Sequence, residues 1–84
     1  MLHARADYDR IQDPLGKISE AEPVFLVRAQ DEAAPYAVRA WAEQAERLGA
    51  DPDLVAKARR HADLMVEWQL DIGSKIPDAP TSVL

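Results

Sequence analysis

The clearest helix signal in this chain lies in residues 51–73, which read DPDLVAKARRHADLMVEWQLDIG. Asp51 is a residue type preferred at the N-cap, Pro52 suits the first helical position, and Gly73 stands where glycine commonly ends a helix. Between them, apolar, small or aromatic side chains recur at spacings of three and four, the period of one helix face. This row consists of Leu54, Ala58, His61, Met65, Trp68 and Ile72. We therefore predict a helix over residues 52–72 that buries this row.

A second row with the same period precedes the first and predicts a helix over residues 32–48. The row consists of Ala34, Val38, Trp41, Ala45 and Leu48. Asp31 is the expected N-cap of this helix, and Gly49 is expected to end it. On the opposite side, Arg39 with Glu43 and Glu43 with Arg47 are spaced i,i+4, and each such pair stabilises a helix by about 0.2–0.5 kcal/mol.

Residues 49–51 are the whole connection between the two predicted helices. A connection this short normally brings neighbouring helices back antiparallel. The predicted fold class is therefore mainly α: an antiparallel helical hairpin of residues 32–48 and 52–72, with Trp41 and Trp68 as its two large core anchors. Because two helices alone cannot bury both rows, an N-terminal extended or short helical segment is expected to complete a small core.

The N-terminal third carries weaker signals. Residues 3–11 could form a short helix, and residues 13–16, DPLG, favour a turn. The run VFLV at residues 24–27 favours a buried extended segment, because Val and Phe suit strands. Ser19 and Glu22, however, form an S-x-x-E capping box that would open a helix over residues 20–30. The sequence leaves both possibilities open.

The size and composition of the chain limit what it can do. Its 84 residues are predicted to form a single small helical domain over residues 1–73, followed by an extended or disordered tail over 74–84. A chain this small buries only about 60% of its unfolded surface, which leaves little room for an active-site cleft. It contains no Cys, which excludes thiol nucleophiles, disulfides and thiolate metal sites. Its net charge of −5 argues against direct nucleic-acid binding, which needs clustered Lys and Arg.

Membrane and targeting signals are weak in this sequence. The longest uninterrupted apolar run, VFLV, has four residues, against the roughly 18 that a membrane span requires. The first ten residues turn acidic at Asp7 and Asp9 and match neither a signal peptide nor a transit peptide. We expect a cytoplasmic protein with no membrane association.

No catalytic, cofactor or metal site is predicted, and the protein is not expected to be an enzyme. His61 lies in an apolar row without a second ligand at helical spacing, so a structural role is the simpler interpretation. His3 could join it only through the fold. The three Gly, at positions 16, 49 and 73, form no phosphate-binding loop.

A possible interaction surface lies on the second helix. It consists of Asp63, Leu64, Val66, Glu67, Leu70 and Asp71. Its three carboxylates are spaced i, i+4, i+8 and form a row that is either a solvated surface or a docking face for a basic partner. Its apolar members widen the apolar arc beyond what one neighbouring helix covers. The sequence leaves three possibilities for what covers this apolar surface: the N-terminal segment, a second copy of the chain, or a foreign protein.

Three short motifs carry a resemblance to known proteins. They are EPVFLVRAQD at residues 22–31, Ala34-Pro35, and VRAWA at residues 38–42. With them the chain resembles small uncharacterised proteins encoded by bacteriophages and prophages of high-GC bacteria, over residues 8–69. The resemblance implies a genome neighbourhood rather than a reaction, so it assigns no role to any residue.

Together these features favour a non-enzymatic protein–protein interaction or assembly protein, phage- or prophage-like, whose partner is another protein or a second copy. The alternative is an acidic inhibitor of a host nucleic-acid-handling or defence enzyme, in which Asp63, Glu67 and Asp71 would occupy a basic groove. The net charge of −5, with ten basic residues interspersed, is modest for such a mimic of DNA.

Overall fold

The computed structural model describes residues 1–4 and 12–78, which fall into two compact units. Residues 27–77 form a helical unit, and residues 1–4, 12–26 and 78 belong to a second unit. Of the short helix considered for residues 3–11, residues 5–11 lie outside the described ranges, as do residues 79–84 of the expected tail. The single domain over residues 1–73 stays a prediction.

The long helix α2 spans Pro52–Asp71 and has the ends that the sequence predicts. The Asp51 carboxylate accepts a hydrogen bond from the Asp53 backbone N–H at 2.9 Å, which makes Asp51 the N-cap. Ile72 is the C-cap, and Gly73 follows with a φ of 122°, in the region that favours glycine. The helix is therefore set by its local sequence at both ends.

The shorter helix α1 spans Ala34–Arg47 and begins two residues later than predicted. Its N-cap is Ala33, which has no side-chain capping bond, so the prediction of Asp31 as N-cap is wrong. The Asp31 carboxylate instead accepts a hydrogen bond from the Ala33 N–H at 2.9 Å and holds the turn before the helix. Gly49, with a φ of 82°, follows the C-cap Leu48 as predicted.

The helices α1 and α2 pack against each other as a hairpin, which confirms the mainly α fold class. Along each helix, buried or half-buried residues recur at spacings of three and four, and we call these two rows the seam. The seam consists of Pro35, Val38, Ala42 and Ala45 on α1 and of Val55, Ala58, Ala62, Met65 and Gln69 on α2. Because most of these side chains are small, the two helix axes can approach closely.

The predicted core anchors are wrong. Trp41 is 51% exposed and Trp68 is 41% exposed, while Ala42 and Ala62 are completely buried. Only part of each predicted row is buried: Val38, Ala45, Ala58 and Met65 are buried or half-buried as expected. At Trp41, His61 and Trp68 the following residue is buried or half-buried instead, so that alanines rather than tryptophans lie between the helices. An indole at the centre of this seam would hold the helices further apart than its alanine side chains do.

The segment before α1 is attached to the far end of the hairpin by side-chain and backbone bonds. The Gln69 side chain donates hydrogen bonds to the carbonyl oxygens of Ala29, at 2.9 Å, and Asp31, at 3.0 Å. Backbone bonds then join Glu32 to Lys75 and Lys75 to Gln30, each at 2.9 Å. These contacts join the segment that precedes α1 to the end of α2 and to the segment that follows it.

Replacing Gln69 with leucine is expected to lower the free energy of unfolding by about 1–3 kcal/mol, because two part-buried carbonyl groups lose their hydrogen-bond donor. The same substitution at the exposed Gln44 of α1 is the control and should change it by less than about 0.5 kcal/mol. Urea unfolding of both variants, at one low protein concentration so that association does not contribute, measures the difference. Equal effects at the two positions would contradict the role given to Gln69.

The second unit contains a two-stranded parallel sheet of β1, Leu2–His3, and β2, Pro23–Val24. The Leu2 N–H donates to the Glu22 carbonyl at 2.7 Å, and the Ala4 N–H donates to the Val24 carbonyl at 3.2 Å. Residues 24–30 contain no helix, so the helical alternative is wrong. The strand includes only Val24 of this segment, and Phe25 is 68% exposed, so the expected burial is wrong as well. Residues 13–16 form the predicted turn, closed by a bond from Gly16 N–H to the Asp13 carbonyl.

Candidate interaction surface

One side of the hairpin carries ion pairs that link its two helices. Arg39 of α1 donates to the Asp63 carboxylate of α2 at 3.0 Å, and Arg59 of α2 donates to Glu46 of α1 at 2.6 Å. Each of these residues follows a seam residue by one position, as Glu43 also does. We call Arg39, Glu43, Glu46, Arg59 and Asp63 the charged face.

The predicted ion pairs within α1 are half correct. Arg47 donates to Glu43 at 2.7 Å, one turn away, as expected. Arg39 reaches across the hairpin to Asp63 instead of along its own helix to Glu43. All three pairs are exposed to solvent, so each is expected to contribute only about 0.2–1 kcal/mol.

The opposite side of the hairpin carries large apolar side chains. One step along an α-helix is a rotation of about 100°, so the residues before and after a seam position lie on opposite sides of the seam. The ion pairs place the following residues of both helices on one common side, and the preceding residues therefore share the other side. We call the large apolar residues on this side the apolar face: Trp41, Leu54, Leu64 and Trp68, which precede seam residues, and Leu48, seven residues after Trp41. Gln44, Lys57 and His61 also precede seam residues and lie on the same side.

The apolar face is open to solvent. Leu48 is the most exposed of its members, and the other four are each about half exposed. His61 precedes the seam residue Ala62 and is also exposed, so its expected burial in an apolar row is wrong. Soluble proteins rarely expose contiguous apolar patches of several hundred Å² unless the patch binds something. The two tryptophans are residue types enriched at the centres of protein interfaces.

The interaction surface predicted from the sequence is divided between the two sides of α2. Leu64 belongs to the apolar face, whereas Asp63, Val66 and Leu70 each follow a seam residue and lie on the side of the charged face. Leu70 is 84% exposed there. The remaining two predicted residues, Glu67 and Asp71, are exposed away from the seam. The structure thus brings Leu64 together with residues that the sequence interpretation assigned to the core.

Four members of the apolar face were missed as surface residues: Trp41, Leu48, Leu54 and Trp68. Three of them, Trp41, Leu54 and Trp68, come directly before a seam residue and took its place in the predicted row. The charged residues Arg39, Glu46 and Arg59 follow residues that belong to both the predicted row and the seam, so the charge pattern does not choose between the two.

The described ranges 1–4 and 12–78 hold no group of three or more His, Asp or Glu side chains that could bind a metal ion. The two histidines lie in different units. His3 has a buried Nδ1 atom without a hydrogen-bond partner among the described residues, and His61 is exposed on α2. Neither α1 nor α2 is both long and apolar enough to cross a membrane.

The fold and the surface define a helical hairpin with one ion-paired face and one exposed apolar face. Comparison of the chain with known protein families, with curated proteins and with solved structures finds no match.

Proposed function

We propose that this chain is a non-enzymatic protein–protein interaction or assembly protein of a phage or prophage, acting in the bacterial cytoplasm through the apolar face of its hairpin. The observation that carries the proposal is the separation of the two faces. Charged side chains are paired across one side of the helices, and Trp41 and Trp68 are exposed on the other. The phage context comes only from the resemblance over residues 8–69, whose motifs lie within residues 22–42.

The exposed tryptophans support an interaction role because their position is unfavourable for an isolated hairpin. Each indole leaves a large apolar area in contact with water, and burying apolar area is favourable by roughly 25 cal/mol per Å². A partner that covers Trp41, Trp68 and the three leucines of the apolar face would recover that free energy. Binding is thus the simplest use of this surface.

The alternative of an acidic inhibitor draws less support from the same contacts. Of the three carboxylates in the predicted acidic row, Asp63 is already paired with Arg39. Glu67 and Asp71 are exposed, but two carboxylates beside a neutralised third make a weak field for occupying a basic groove.

Site-specific photo-cross-linking tests the proposal. Benzoylphenylalanine replaces Leu64, on the apolar face, and in a matched variant it replaces Leu70, on the opposite side of the same helix. We expect irradiation of host bacteria producing each variant to yield a discrete protein adduct from position 64 and little from position 70. The adducts are measured by immunoblotting and identified by mass spectrometry.

The adducts from these two positions also show which results would contradict the proposal. Adducts of equal yield from both positions would indicate contact without a preferred face, and an adduct from position 70 alone would place the interface on the other side. No adduct from position 64 would remove the apolar face as the docking surface.

A further inference from the structure

The apolar face repeats with the same seven-residue period as the seam. Trp41 and Leu48 are seven residues apart, as are Leu54, His61 and Trp68. Each helix therefore carries a second, mostly apolar row directly beside the seam row. A helix with apolar residues at about three of every seven positions is typical of a helical bundle, where it contacts two neighbouring helices.

A single hairpin uses only one of these two contacts. The seam row of α1 is occupied by α2, while the adjacent row of both helices remains exposed. Helices whose side chains repeat every seven residues would interdigitate with this face along its whole length. A second copy of this hairpin has that repeat.

Resting on the proposed function, we infer that the occupant of the apolar face is a second copy of this chain, and that two hairpins pack face to face as a four-helix bundle. A two-fold axis through the face would make every contact between the copies occur twice, with the roles of the two residues exchanged. Trp41 and Leu64 would then lie near the middle of the interface, and Trp68 nearer the open end of the hairpin.

The charge distribution is compatible with two copies meeting on this face. Each chain carries a net charge of −5, so two copies repel unless their carboxylates are kept apart. The ionisable residues on this side that precede seam residues are Lys57 and His61, and neither of them is a carboxylate. The ion-paired carboxylates Glu43, Glu46 and Asp63 lie on the opposite side. Face-to-face packing therefore places no charged-face carboxylate against its own copy.

The area of the apolar face is close to the smallest interface area of a specific dimer. Helices of 14 and 20 residues are about 21 and 30 Å long, and packed helices lie about 8–10 Å apart. The pair thus presents roughly 20 by 25 Å, or about 500 Å² per copy and about 1,000 Å² in total, near the lower limit for specific interfaces. We therefore expect a dimer that dissociates on dilution.

Sedimentation velocity of the purified 84-residue chain, over a hundredfold range of concentration, tests the inference. We expect the mass to rise from one chain to two. Because both tryptophans of the chain belong to the apolar face, their fluorescence reports on it directly. We expect quenching by acrylamide to weaken over the same range, as the indoles become covered.

Two matched substitutions locate the interface. Leu64→Glu should raise the dissociation constant at least tenfold, because it places a carboxylate in the middle of the apolar face. Leu70→Glu, with the same change in charge on the opposite side of α2, should change it less than twofold. Leu54→Glu provides a second apolar-face variant if Leu64→Glu loses its helical circular dichroism.

The outcomes separate this inference from the proposed function. A chain that stays monomeric throughout, or a dimer that Leu64→Glu and Leu70→Glu weaken equally, overturns the second-copy inference. In either case an adduct from position 64 to a different protein would leave the proposed function standing. A monomer together with no adduct from that position would remove both.

Discussion

Met65→Ala is expected to lower the free energy of unfolding by about 2–5 kcal/mol, the largest loss from any single truncation of the hairpin. Met65 is only 8% exposed and is the longest apolar side chain of the seam. Most residues of the seam have short side chains, which cannot move in to fill the space. The truncated site would therefore keep most of its cavity.

Urea unfolding at one low protein concentration measures this change, because association on the apolar face would otherwise add a concentration-dependent contribution. Met65→Leu conserves volume and should cost less than about 1.5 kcal/mol. Leu70→Ala removes an exposed side chain of about the same volume from the same helix and should change stability by less than about 0.5 kcal/mol. If Leu70→Ala proves as damaging as Met65→Ala, the assignment of the buried face is wrong.

Ala62→Leu is expected to destabilise the hairpin by about 1–3 kcal/mol, although it adds an apolar side chain. Ala62 is completely buried, and the close approach of α1 and α2 depends on small side chains at this level of the seam. A leucine here must push the helices apart or adopt a strained rotamer. Either response also disturbs the ion pair between Arg39 and Asp63, which spans the same stretch of the hairpin.

Ala56→Leu is the control for overpacking, because Ala56 lies on α2 with its side chain exposed. Both substitutions keep a good helix former, so helix propensity changes little between them. Thermal unfolding followed by circular dichroism compares the two variants. A leucine at position 62 that leaves the midpoint unchanged would show that the seam has room, contrary to the packing described above.

The helices could be predicted from the sequence because their signals are local. Asp51, Pro52 and Gly73 act on the backbone of α2 within a few residues of themselves, and Gly49 ends α1 in the same way. The short connection between the helices then leaves the antiparallel hairpin as the main arrangement. The start of α1 was predicted two residues early because Asp31 binds the N–H of Ala33 in a turn instead of capping the helix.

The strand at residues 23–24 could not be predicted from the local sequence. The Ser19–Glu22 pattern and the Val and Phe content favour different structures, and neither signal is strong. The extended form is settled by pairing with Leu2–His3, about twenty residues away in the chain. Pairing with a strand that far away in the chain cannot be recognised from the local sequence pattern.

The amino-acid sequence alone was sufficient for the existence, approximate ends and antiparallel order of the two helices, since capping, periodicity and connection length act over a few residues. Only the tertiary structure decided which side of each helix is buried. Two apolar rows lie side by side on both helices, and periodicity fits either one. The choice depends on how closely α1 and α2 approach and on whether Arg39 and Arg59 reach carboxylates across the hairpin. Both are properties of the packed pair, and they place alanine inside and tryptophan on the surface.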